Sequence, residues 1–198
     1  MTLTAIANRA GVHASGVRRY FDSREEILLT LAGDAWNEWA QALIMAIADA
    51  DRPLAAAPFG ELVAQSLADH PFFCDVLGHI TLTLEREVPL ESARRYKLIG
   101  LDAVARMVTA ITEAVPHIPE EQAFDLIASS TAVAASFWQI AHPPPVLETL
   151  YKKDSRLAHA SIDFIPRLSR VVQYIVDGIL AESLQGVSHA VGPNFPPP

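Results

Sequence analysis

The sequence is short of cysteine, of charge and of any catalytic signature. Cys74 is the single cysteine among 198 residues, which excludes an intramolecular disulfide and a cysteine-rich zinc site. Charged residues make up 19% against 51% hydrophobic, so a packed core is expected and wholesale disorder is not. The opening MTLTAIANRAG has neither the charged nor the apolar segment of a signal peptide. The longest run free of Asp, Glu, Lys and Arg, Leu126–Leu147, is broken by serines, Thr131, Gln139, His142 and Pro143–Pro145, which makes a poor membrane span. No membrane partner is therefore expected, and the location is read as cytoplasmic. There is no P-loop, dinucleotide fingerprint, HExxH or GxSxG, so the reading is that of a non-enzyme without a cofactor. His70, His79, His117, His142 and His159 share no i, i+3 or i, i+4 spacing, and no metal site is expected. Sustained apolar–polar alternation is missing too, so the fold class is all-α.

What is present is helical and punctuated by Pro and Gly. Short helices are predicted over Leu3–Ala10 and Ala14–Tyr20, separated by Gly11-Val12-His13. Thr2 is placed to cap the first. Ser23-Arg24-Glu25-Glu26 fits a capping box and opens a long helix carrying Ile27, Leu28, Leu31, Ala35, Trp39, Leu43 and Ile47 at helical spacing, ended by Asp51-Arg52-Pro53. Further helices are predicted over Gly60–Asp69, Phe72–Val88, Leu90–Val115, Pro119–His142, Val146–Lys152 and Ser161–Leu184. Three regions result. Residues 1–45 form a helix-turn-helix with its connecting helix, residues 46–185 a larger helical body, and residues 186–198 a flexible tail rich in Pro and Gly.

The segment from Thr2 to Leu28 carries the most information. Gly11 stands where a tight turn needs a positive φ. Ile6, Ala7, Ala10, Val12 and Val17 can pack the two short helices together. The second helix then exposes His13, Ala14, Gly16, Arg18 and Arg19, as a helix-turn-helix presents a recognition helix to a major groove. Charge agrees. Residues 1–24 carry four arginines against Asp22, a net +3, while the remainder carries −11 of the total −8. A basic end on an acidic body suits DNA binding in one orientation.

Thr2, Ile6-Ala7, Ala10-Gly11-Val12, Val17, Tyr20-Phe21, Ser23-Arg24-Glu25 and the leucines that follow resemble the helix-turn-helix of the tetracycline-repressor family of bacterial regulators. The resemblance implies a ligand-controlled repressor, with a small-molecule effector held in the helical body and the last two long helices forming a homodimeric four-helix bundle. It implies a double-stranded DNA operator, contacted by Thr2, His13, Ala14, Gly16, Arg18, Arg19, Tyr20 and Arg24, with the Tyr20 hydroxyl on a phosphate. The chain departs from the family in four places. A helix usually precedes the one that begins at Thr2; the chain opens at Met1, and Thr2–Tyr20 is expected to be weakly protected. Arg18 stands where tyrosine is usual, Gly16 where a β-branched or small residue is usual, and His13 where a serine cap is common.

Other residues are read with their plainer alternatives. Trp36 and Trp39 are core at the junction of the two regions. Phe73, Cys74, Leu77, Tyr96, Met107 and Trp138 are candidates for an effector pocket, although apolar residues of this kind serve equally as core. Glu85-Arg86-Glu87 reads as a solvated helix end. The small residues Ala128–Ala135 together with the stripe Ile162–Ile179 read as a dimer seam. Two other functions compete with the regulator: a dimeric helical small-molecule binder that no longer binds DNA, and an all-α enzyme, which the missing motifs disfavour.

Overall fold

The computed structural model describes residues 2–80, 82–160 and 162–190, and among these there are helices and no strand. Two short helices, α1 (Leu3–Arg9) and α2 (Ala14–Arg18), form a small head. The Thr2 hydroxyl accepts from the Ala5 N–H at 3.2 Å and caps α1. Gly11 makes the turn at φ +71°, and the Val12 N–H returns to the Ala7 carbonyl at 3.0 Å. His13 caps α2, its Nδ1 accepting the Ser15 N–H at 3.3 Å. Of these two helices only Ala7 is buried.

The long helix α3 (Arg24–Asp49) carries the chain from head to body. At 1.5 Å per residue it spans about 40 Å. Ser23 caps it through the Glu26 N–H at 3.0 Å. Its inward stripe is Leu29, Ala32, Ala35, Trp39, Leu43 and Ile47, while Leu31 stays exposed. In the body, α4 (Ala56–Ala68), α5 (Pro71–Ile80) and α6 (Leu90–Ala114) pack on that stripe; α7 (Glu120–Ala141) packs against α5 and α6, α9 (Phe164–Ala190) against α4 and α7, and α8 (Pro145–Lys153), which follows α7 in the chain, is exposed. Trp39 sits at the centre. Its indole N–H donates to Ser66 Oγ at 3.0 Å, and its ring stacks on Phe73 with centroids 5.4 Å apart. No helix among the described residues is long and apolar enough to cross a membrane.

Two expectations need correction. The helix expected over Phe72–Val88 ends at Ile80, and a 3-10 turn follows at Leu84–Arg86. The chain bends to bury Leu84, and the Thr83 hydroxyl and N–H both donate back to the His79 carbonyl. Because Leu84 is apolar and buried, it mimics the next turn of a continuing helix. The second correction concerns the stripe on α9. Leu168, Val172 and Val176 are buried within the chain against α4 and α7, so they are not free for a partner. Exposed residues away from the cavity lining are Ser129, Ser136 and Ile140 on α7, and Arg170, Tyr174, Gly178 and Ala181 on α9. Helix α9 also runs on to Ala190, into the segment expected as a flexible tail; residues 191–198 lie outside the described residues.

Helices α4 and α9 touch backbone to backbone at Gly60. A Cβ there would stand 2.5 Å from the Ser169 carbonyl oxygen and 3.3 Å from the Gln173 nitrogen. Gly16 in α2, by contrast, faces open space. The two glycines therefore predict opposite responses to alanine. Gly60→Ala should lower unfolding free energy by roughly 1–3 kcal/mol, because a backbone must move. Gly16→Ala should raise the helicity of α2, by roughly 0.5–1 kcal/mol locally. Urea unfolding of the body and hydrogen exchange of the head measure the two separately.

Candidate functional site

The head presents its polar and basic residues to solvent. Thr2, His13, Gly16, Arg18, Arg19, Tyr20 and Arg24 are exposed, and Ala14 is half-buried. Arg9, Arg18 and Arg19 make no ion pair among the described residues. Arg24 differs: its guanidinium lies 2.7 Å from Glu25 Oε1. That pair offsets the unfavourable cation at a helix N-terminus without any outside partner.

Glu26 joins head to body. It is buried at 7% exposure, one turn inside α3. Its Oε2 accepts the Asp22 N–H at 2.7 Å, in the loop that follows α2. The reach is one residue beyond the Ser23 N–H that a capping box would use. Its Oε1 accepts the hydroxyl of Ser92, in the first turn of α6, and Arg95 donates to the same Ser92 Oγ at 3.3 Å. One carboxyl group therefore ties the loop of the head, the start of α3 and the start of α6.

One turn beyond Ser92 lies a cavity between α3, α6 and α7. One lobe, of about 340 Å³, is walled by Trp36, Tyr96, Gly100, Val104, Ile127 and Thr131, with exposed Leu101 and Phe124 at its rim. A second lobe of about 290 Å³ shares Trp36, Tyr96, Lys97, Ala128 and Thr131 and adds Leu77, Ile80 and Glu85. The Trp36 indole N–H donates to Tyr96 Oη at 2.9 Å, and Trp36 packs edge-on against Phe73 at 4.9 Å. Burial pushes the Tyr96 hydroxyl up to about 12, with the nearby Glu85 charge adding to it and the Trp36 hydrogen bond opposing it. Tyr96 is therefore a neutral hydrogen-bonding group at any ordinary pH.

Residues 34–183, from α3 to α9, match the family described as Tetracyclin repressor-like, C-terminal domain. The chain belongs to that family. No curated protein matches it. The tetracycline-repressor-like family is one of ligand-responsive transcriptional regulators, and the matched region covers the body with its cavity; the head lies outside it.

Within this tetracycline-repressor-like body the pocket candidates separate. Tyr96 and Leu77 line the cavity. Phe73, Cys74 and Met107 instead sit in the core, each at most 1% exposed, because they lie on the inward stripes of α5 and α6. Trp138 packs on His142 and Phe164 at the far end of α7. Trp36, Glu85, Lys97, Phe124 and Thr131 went unanticipated as a set. For Glu85 no sequence signal existed, because the bend at residues 82–83 is what carries it to the cavity. Glu26 was visible as a capping residue, but its tie to Ser92 crosses 66 residues of chain.

Two outcomes follow from this chemistry. Ser92→Ala leaves a buried carboxyl oxygen without its donor, at a cost of roughly 1–3 kcal/mol. Hydrogen exchange at the Asp22 and Glu26 amides should accelerate in that variant, while amides of α9 keep their rates. Cys74 is fully buried, its thiol donating to the Leu67 carbonyl at 3.2 Å, and burial pushes its pKa up to about 12 from 9.0. The folded chain holds that proton where the unfolded chain releases it. Stability is therefore expected to fall as pH rises from 9 toward about 12, and Cys74→Ala to flatten the fall in urea titrations.

Proposed function

We propose that the chain is a ligand-responsive, DNA-binding transcriptional regulator that acts as a homodimer on a two-fold operator, as a repressor. The observation that carries this reading is a shared pair of helices. Helix α3 bears the basic head at one end and, ten residues past Glu26, places Trp36 in the cavity wall. Helix α6 bears Ser92 at one end and, one turn on, places Tyr96 in the same wall. A ligand that spreads Trp36 from Tyr96 acts on the two helices that Glu26 pins together, some 15 Å away along α3. DNA favours one spacing of the two heads in a dimer and ligand another, so each weakens the other by the same factor.

Supporting the DNA role are Arg9, Arg18 and Arg19 of the head, which make no ion pair among the described residues, and the +3 charge of residues 1–24 against a −11 remainder. Supporting the dimer are the small and apolar exposed faces of α7 and α9, where Ser129, Ser136, Gly178 and Ala181 allow close helix approach and Ile140 and Tyr174 supply apolar area. A second reading, a dimeric ligand binder without DNA binding, has one observation behind it: the head buries Ala7 alone.

Selection from a random DNA pool separates the two. The regulator should enrich a near-palindromic site, with one dimer bound by light scattering. Arg18→Ala should then relax preference at one base pair per half-site, by roughly 1–3 kcal/mol. Arg24→Ala should weaken all sequences alike and reduce the salt dependence. No enrichment, with an intact dimer, favours the second reading.

A further inference from the structure

The charged groups of the cavity say what its ligand carries. Among the lining residues Glu85 and Lys97 alone are charged. Lys97 Nζ lies 2.7 Å from Glu85 Oε1 and 5.9 Å from the centroid of the Tyr96 ring. A cation already stands between a carboxylate and an aromatic face, and that cation is the chain's own. The two partners are held unequally. The Lys97 side chain is 63% exposed on a flexible stem, whereas that of Glu85 is 19% exposed and its Oε1 is buried without a directed hydrogen bond. Lys97 can swing into water once another cation takes its place beside Glu85. Glu85 is fixed in the wall and needs a cation wherever Lys97 goes.

The neutral polar groups agree. The Thr131 hydroxyl donates its proton to the carbonyls of Ile127 and Ala128, at 3.0 Å each, so its oxygen offers the cavity an acceptor. The walls beyond are Trp36, Tyr96, Val104 and Phe124, suited to a flat apolar body. An anionic ligand would have to pair with exposed Lys97 while placing its charge beside buried Glu85.

We infer that the effector is an apolar, aromatic amine, whose ammonium displaces Lys97 from Glu85 and lies against the Tyr96 ring while its body fills the lobe bounded by Trp36 and Phe124. This rests on the reading of the cavity as the effector site. Displacing Lys97 loosens α6 beside the turn that carries Ser92, which links the amine to the head.

Three probes with one ring system test the chemistry: 1-naphthylmethylamine, 1-naphthylmethanol and 1-naphthylacetate, titrated against the full chain by calorimetry and tryptophan fluorescence. The amine should bind at least about tenfold more tightly than the alcohol, with the acetate weakest. Glu85→Gln should collapse the ratio of amine to alcohol affinity. Lys97→Met, which keeps the stem and removes the competing cation, should raise that ratio; it alters an exposed side chain and decides the matter if Glu85→Gln does not fold. A preference for the acetate, equal binding of all three, no binding of any, or a ratio unmoved or lowered by Lys97→Met overturns the inference. Tight amine binding that leaves affinity for the selected DNA unaltered would instead refute the regulatory reading and leave the ligand chemistry standing.

Discussion

Glu26 is the group on which the rest of the architecture turns. The head is too small to hold its place by burial: two helices of seven and five residues hide one alanine between them. Isolated helices of that length are marginal in water. What fixes the head is a directional contact, the carboxyl of Glu26 accepting from the Asp22 backbone on one side and Ser92 on the other. A buried carboxyl group is costly unless both oxygens are satisfied, and here each is. The same two bonds join the loop behind α2 to the first turn of α6.

The same logic runs through the cavity. Helices α3 and α6 meet closely where Gly33 faces Ile99 and Tyr96, a contact in which a Cβ would come within 3.3 Å of the Ile99 side chain. One turn on, Trp36 and Gly100 border the cavity, and a Cβ at Gly100 would stand 3.9 Å from the Trp36 indole nitrogen. The aromatic cluster of Trp36, Trp39 and Phe73 behind the wall stiffens α3 at that level.

Much of this was legible in the sequence, because local chemistry decided it. Thr2, His13 and Ser23 cap the helices they precede, Gly11 takes the positive φ of the turn, and prolines punctuate the body near where the long helices stop. The misreadings share one cause: apolar character does not reveal which surface covers a residue. Leu84 continues the pattern of α5 across a bend, so the bend was invisible, and with it the position of Glu85. Leu168 and Val172 looked free for a second chain until α4 was seen to cover them. Phe73, Cys74 and Met107 are core, while Trp36, expected in the core, borders a cavity. A charged triplet such as Glu85-Arg86-Glu87 looks solvated unless long-range packing places one member of it inside.

The contact at Gly60 gives the body a fixed side. Two helices whose main chains touch cannot slide past one another without first separating, since the Ser169 carbonyl stands in the path of any atom carried by residue 60. Helices α4 and α9 are thus locked in register at Gly60, and the cavity lies away from that contact, between α3, α6 and α7. Tyr96 in the cavity wall and Ser92 on Glu26 stand one turn apart on α6, away from that locked pair.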